Sequence, residues 1–445
     1  MNSDTRSRVG RGMPWLVVAG VLLAAMSLRG PIVAPTAVLR LIEQDFGIGA
    51  ATAGLLTTAP VLMFAALTPL AALVIRRAGA ELALMLSLSG VLVGTFVRAL
   101  PGFGWMLAGM FIIGAFITVG NVVIPVVIRR DVPPDRVALV TAAYAATLNV
   151  GSLITSLGTA PLAEVIGWNA ALLSWSVLTV AGIALWAVHI RRSRRAFRDG
   201  DGLSGEPTQT AALDTTQPTS PVLRAKVVRD SAGNELDSAA ITGPLPVIGG
   251  SRDSRSLLKR PVAWFLVASF ALQCTIYYGL TTWLPSFAAD ELNLDATSAG
   301  AVASIYQGVG IAGAFVVPLL SRFAPRWVAP FVICVSWLTV SIGLLAAPQL
   351  LWAWLAVGAV GHAGGFVVIF SALVAVSRSD GEAAGLSAMV QGFGYAIGAL
   401  GGPVIGLLHE RSGGWSAPLT LVLVLSSLYC VALVSAVVFA RRATR

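Results

Sequence analysis

Residues 15–38 read WLVVAGVLLAAMSLRGPIVAPTAV. The run is apolar or small at nearly every position and exceeds the ~20 residues that a helix needs to cross ~30 Å of hydrocarbon. A basic leader (Arg6, Arg8, Arg11) precedes it and no small-x-small cleavage pattern follows, so it reads as a retained span rather than a signal peptide. Runs of this kind recur along the chain, at 14–38, 51–75, 82–100, 103–128, 137–163, 168–190, 261–288, 297–320, 327–346, 350–374, 383–408 and 416–440. A backbone surrounded by lipid must satisfy its own hydrogen bonds, so each is predicted as a helix. The expectation is an all-α integral membrane protein with twelve transmembrane helices.

Composition agrees. The chain has 445 residues, of which 56% are hydrophobic and 11% charged. A soluble domain carries about a quarter charged residues, so this one could not cover a water-soluble particle of its size. Cys274, Cys334 and Cys430 all lie in apolar runs. Their odd number and the lack of C-x-x-C argue against a disulfide framework or a metal site, and they read as small buried hydrophobes. No cofactor is expected.

The net charge of +9 suggests a nucleic-acid partner until the charges are placed. One set of connections holds Arg6, Arg8, Arg11, Arg76, Arg77, Arg129, Arg130, Arg136, the basic residues of 191–260, Arg322, Arg326, Arg378, Arg441, Arg442 and Arg445. The other holds Arg40, Arg98 and Arg411 beside Glu43, Asp45, Glu164, Asp290, Glu291, Asp295 and Glu410. This is positive-inside bias, with both termini cytoplasmic, and no nucleic acid is expected. The setting expected is a bacterial cytoplasmic membrane.

Residues 191–260 are rich in Ser, Thr, Gly, Asp, Pro and Arg and nearly free of aromatics, the pattern of a disordered cytoplasmic linker. They separate an N-terminal six-helix bundle, 1–190, from a C-terminal one, 261–445. The halves repeat: Pro14 and Pro261, Arg76 and Arg322, and Arg130 and Arg378 recur at a nearly constant offset. Two parallel six-helix halves with a midplane site between them is the plan of a major facilitator transporter.

Arg29 is the one charge expected near mid-depth, where insertion costs ~2.5–3.5 kcal/mol; snorkelling or a structural bond to helix-end carbonyls is the alternative to lining a central cavity. Gly30 and Pro31 follow directly, so the helix is expected to break or bend beside it. No Asp or Glu lies at that depth in any span. A guanidinium lining an aqueous cavity without a protein counter-ion suits an anion or an electron-rich solute, because its planar fork of donors matches carboxylate, cyanate, nitrate or nitro oxygens. Asn121, Tyr144, Asn149, Gln273, Tyr277, Gln307, His362, Gln391 and Tyr395 share the depth and are the expected remainder of the substrate site, with Tyr278 and Tyr306 at the same level. Interhelical bonding is the competing role for each. Gln273/Tyr277 and Gln391/Tyr395 are spaced i,i+4 and share a face. His362 is the mid-membrane histidine, a candidate proton relay or a neutral core residue.

Several strings carry a resemblance. LRGPI in the first span is similar to the Asn-Leu-Arg-Pro start of the cyanate and 2-nitroimidazole transporter family within the major facilitators. NVVIPVVIRRDVP (121–133), TAAYAATLNVGSLITS (141–156), PLAEVIGWNAALLSW (161–175) and GLSAMVQGFGYAIGALGGPVIGLLHERSGGW (385–415) resemble the same family, the last keeping Gln391, Gly394 and Tyr395 of a Gln-x-x-Gly-Tyr core. Two departures stand out. The family's first-span Asn is Ser27 here, with Gly30 inserted before Pro31, and the usual Asp-Arg-x-Gly-Arg loop appears as Arg76-Arg77-Ala78-Gly79-Ala80, without the acid of the charge latch.

The resemblance implies a secondary carrier of cyanate-like anions or nitro-aromatic compounds, with Arg29 as anchor; alternating access is the expected mechanism, and His362 makes protons a candidate coupling ion. A monomer in the lipid bilayer is expected. A proton-driven multidrug exporter is the alternative, weakened because such exporters place an acid in the membrane. An enzyme is not expected: there is no H-E-x-x-H, no G-x-S-x-G with a His partner and no paired carboxylates at one depth.

Overall fold

The structure, a computed structural model, describes residues 14–133, 136–201, 258–325, 327–377 and 380–443. All regular structure among these is helical: α1 (Trp15–Val33), α2 (Leu39–Phe46), α3 (Ala50–Ala53), α4 (Leu55–Ala78), α5 (Ala80–Val97), α6 (Phe103–Asp131), α7 (Val137–Ile166), α8 (Trp168–Ser174), α9 (Ser176–Asp201), α10 (Pro261–Leu292), α11 (Ala296–Phe323), α12 (Val328–Ala346), α13 (Leu351–Val376), α14 (Asp380–Gly398), α15 (Gly401–Ser412) and α16 (Ser416–Ala443). Together they supply twelve stretches long and apolar enough to cross a membrane. α9 continues beyond the expected linker boundary at 191, as far as Asp201. The rest of the expected linker, 202–257, lies outside the described residues.

The helices within each half meet along small residues, which bring backbones close where lipid offers no hydrophobic drive. A methyl at Gly109 of α6 would collide with the backbone nitrogen of Arg98, and one at Gly90 of α5 would enter the Phe116 ring. The missing loop acid has a substitute: Glu81, in the first turn of α5, pairs with Arg130 at 2.9 Å and ties the basic end of α5 to α6.

At the acidic end the halves are in contact. Arg40 donates to the Ser286 carbonyl at 3.1 Å and pairs with Asp290, Thr282 meets Thr57 at 2.9 Å, and Thr297 donates to Glu164 at 2.9 Å. Glycines line this seam. A methyl at Gly54 would lie 2.7 Å from backbone atoms of Gly402 and Pro403, and one at Gly406 would lie 2.7 Å from the Ala50 carbonyl oxygen.

Prolines shape the seam through the donors they lack. Pro403 has no N–H for the Ala399 carbonyl four residues back. Thr58 of the other half donates to that carbonyl instead, at 2.5 Å, where α14 gives way to α15. Span 1 uses the same device. In place of the expected break, α1 continues through Gly30 and Pro31 and ends at Val33, where the chain tightens into a 3₁₀ turn, Ala34–Val38. The break therefore lies beyond Arg29, at Pro35, which deprives the Pro31 carbonyl of its helical donor.

Candidate functional site

Arg29 lies near the middle of the first span, Trp15–Phe46, and is half-buried. It makes no hydrogen bond or ion pair with the described residues. What surrounds it is phenolic: Tyr277, Tyr278, Tyr395 and Tyr144 all lie within its electrostatic range, as do His362 and Cys274. These groups come from α7 in one half and α10, α13 and α14 in the other, so the site straddles the junction of the halves. Cys274, Tyr277 and Tyr278 are spaced i, i+3, i+4, which turns one face of α10 toward the cation.

The expected site residues divide into groups. Tyr277 accepts a hydrogen bond from Gln307 at 2.9 Å and stacks flat on His362, with ring centroids 3.7 Å apart and planes within 5°. This triad joins α10, α11 and α13 beside Arg29. The Nδ1 atom of His362 is buried without a partner. Tyr395 packs edge-on against Phe64 of the opposite half at 5.7 Å and against Phe270 at 5.1 Å, and Phe270 in turn meets Phe366 at 5.4 Å. The cation thus has an aromatic wall beside it. Gln391 donates to Ser387 at 2.7 Å while its side-chain oxygen stays buried and unpartnered.

Other expected residues are engaged elsewhere. Gln273 is 0% exposed; it donates to the His362 carbonyl at 3.1 Å and accepts from Tyr429 at 3.0 Å. Both ends of its amide are used inside the C-terminal half, where it fixes α10 against α13 and α16. Asn149 donates back to the Ala145 carbonyl of its own helix at 3.3 Å. Asn121 is half-buried on α6, next to Gly120, which packs on Leu28 of α1. Pro125 leaves the Asn121 carbonyl without its helical donor, so a backbone acceptor is added at this level.

Two residues differ from the sequence reading. Tyr278, grouped only by depth, lies within range of Arg29, and its i,i+4 spacing from Cys274 is the signal for it. Arg98, read as a charge in a connection, is 2% exposed. It donates to the Pro31 carbonyl at 2.7 Å and to the Leu172 carbonyl at 3.0 Å. Burial here is possible because both bonds go to carbonyls at helix interruptions. No metal-ligating cluster occurs among the described residues.

A cation unpaired among the described residues, phenols able to donate hydrogen bonds and a cluster of aromatic rings make this a candidate binding site. Over 94% of its length the chain is 27% identical to the 2-nitroimidazole transporter of Escherichia coli (strain K12), covering 94% of that protein. Over 92% of its length it is 24% identical to an uncharacterized transporter of Bacillus subtilis (strain 168), covering 90% of that protein. A shorter stretch of 87 residues, 19% of this chain and 52% of the relative, is 38% identical to a Thauera aromatica protein named as a putative anionic 4-hydroxy-benzoate permease. Among solved structures, a bacterial homolog of the human lysosomal transporter Spinster, inward-facing and unoccupied, superposes with a TM-score of 0.65 at 16% identity, covering 98% of this chain and 96% of the other, which speaks to the fold. Residues 16–399 match the Major Facilitator Superfamily, and the chain belongs to it as a membrane transporter rather than an enzyme.

Proposed function

We propose that this transporter carries a small anion or an electron-rich nitro or cyanate-like compound across the bacterial cytoplasmic membrane by alternating access, with Arg29 as the anchor. The observation that carries the reading is an Arg29 guanidinium within range of four tyrosines and of no carboxylate among the described residues. A cation at mid-depth in the membrane is costly unless something pairs with it, and a solute able to accept two parallel hydrogen bonds does so. Tyr144, Tyr277, Tyr278 and Tyr395 supply further donors, while the half-buried Tyr395 and Phe64 offer ring faces and edges to a planar solute. The relatives named for 2-nitroimidazole and anionic 4-hydroxy-benzoate both concern planar rings bearing such oxygens.

The charge asymmetry supports the basic end as cytoplasmic, with both termini on that side, so the acidic end, where the halves meet, faces outward. The two six-helix halves, 1–190 and 261–445, are the rocking units, and 191–260 is the tether between them. His362 is the candidate for proton coupling. Once protonated it repels Arg29, and an anion bound between the two relieves the repulsion, so anion and proton favour one another. The exporter alternative lacks its membrane acid among the described residues.

The test is binding of 2-nitroimidazole, 4-hydroxybenzoate and cyanate to the purified protein and to Arg29→Gln. At least one ligand should bind the parent and lose about a hundredfold in affinity in the variant, the scale of a charge-assisted pair. Equal affinity in the two proteins would remove Arg29 from the site.

A further inference from the structure

Arg98 carries a full charge into the protein interior, and nothing in the binding reading uses it. No carboxylate is among its described contacts. Its Nη1 donates to the Pro31 carbonyl at 2.7 Å and lies 3.9 Å from the Met110 sulfur, its Nη2 donates to the Leu172 carbonyl at 3.0 Å, and its Nε has no partner. A buried guanidinium held by neutral carbonyls is an expensive arrangement, so the carbonyls it serves are informative.

Both stand where a helix is interrupted. Pro31 is four residues before Pro35, and its carbonyl is the one that Pro35 cannot serve. Leu172 is in the last turn of α8, among the carbonyls that a helix end leaves open. Arg98 itself caps α5, with its backbone held against Gly109 of α6. One side chain therefore links the end of α1 to α8 and is anchored by α5 and α6. Pro31 is two residues from Arg29. Fixing the Pro31 carbonyl fixes the height and rotation of the turn that carries Arg29.

We infer that Arg98 is a positioning residue for the transport site: it occupies the carbonyl freed by Pro35 and so holds the last turn of α1, and Arg29 with it, in binding register. The inference rests on Arg29 being the anchor, and its structural part can be tested without any ligand. A serine or threonine at 98 could not reach both carbonyls, and a lysine could serve only one at a time, so the fork shape matters as well as the charge.

The experiment uses the full-length protein in detergent or nanodiscs, with hydrogen–deuterium exchange over residues 28–36 as the ligand-free readout and 2-nitroimidazole binding as the second. Arg98→Gln should speed exchange in 28–36 about tenfold, leave α16 unchanged and weaken binding about tenfold, the consequence of one unpaired buried carbonyl. Adding Pro35→Ala returns an N–H four residues after Pro31. Arg98→Gln/Pro35→Ala should therefore recover most of the protection and most of the affinity, which a generally destabilised protein would not do. If Arg98→Gln does not insert or fold, Arg98→Lys carries the test, with exchange and affinity between those of the parent and those of an unbraced turn.

Exchange at the parent rate in Arg98→Gln or Arg98→Lys overturns the inference, and so does a second substitution that restores nothing. Altered and rescued exchange without any binding of 2-nitroimidazole to the parent would uphold the brace and count against the substrate reading instead.

Discussion

The glycine seam at the acidic end offers the most direct test of alternating access. Gly54 has ordinary helical dihedrals, φ −57° and ψ −21°, so alanine fits its backbone. Within its own half the substitution should be neutral or favourable, since alanine is the better helix former by up to ~1 kcal/mol, and that gain is equal in both states. Across the seam the added methyl would stand 2.7 Å from the Gly402 carbon and the Pro403 nitrogen, and 2.8 Å from the Gly402 oxygen. These are backbone atoms, and no rotamer change relieves the overlap. Overpacking of this kind costs about 1–3 kcal/mol, and here the closed state alone bears it. At 1.4 kcal/mol per tenfold, the closed-to-open ratio should fall about 5- to 150-fold. Spin labels at the exposed positions Asp45 and Arg411, one in each half, would report it: the distance distribution should lengthen in Gly54→Ala. Gly104→Ala, where a methyl meets open space, is the control and should leave the distribution unchanged. An unaltered distribution in Gly54→Ala would refute the reasoning, because the approach of Gly54 to Gly402 would then not limit closure.

Two further outcomes concern protons. His362→Phe preserves a ring on Tyr277 but removes the titrating nitrogen, so uptake of an anionic substrate should lose its pH dependence while affinity at high pH changes less than about threefold; a flat profile in the parent would end the proton-coupling role. At the acidic end, one carboxylate oxygen of Glu43 is buried without a partner, and the side chain lies within range of Arg40, Glu410 and Asp290. Glu410 and Asp290 belong to the other half, so the like-charge repulsion is present only when the seam is closed. Acidification, or Glu43→Gln, should therefore favour closure. The same pair of spin labels would show it, and a shift toward the open state at low pH would contradict it.

Much of the architecture is legible in the sequence because lipid imposes simple rules. A run such as 15–38 can be little other than a spanning helix, and the unequal distribution of arginines separates the two ends. Arg29 is legible for the same reason: a lone charge at mid-depth has few explanations. The departures share a cause. Spacing reports which side of a helix a residue occupies, but not what stands opposite. Gln273 has the depth and chemistry of a ligand-binding amide, yet Tyr429 and the His362 carbonyl hold both its ends. Arg98, three residues before Pro101, has the local pattern of a loop cation, and nothing in its own neighbourhood announces acceptors on α1 and α8. The break in span 1 falls at Pro35 rather than at Pro31. A single proline inside a helix costs one bond and can be absorbed; a second, four residues later, strips the first of its acceptor role in the ladder.

The make-up of the seam has a consequence for energetics. Bare backbone, a few hydroxyls and the solvent-exposed Arg40–Asp290 pair are all weak adhesives, and exposed ion pairs contribute about 0–1 kcal/mol. A junction made of bulky interlocking side chains would hold one state far below the other and stall the cycle. This one resembles a hook-and-loop fastening that a few multiples of thermal energy can peel apart. A passenger no larger than a single aromatic ring has little free energy to give, and a joint this shallow lets that little decide which door stands open.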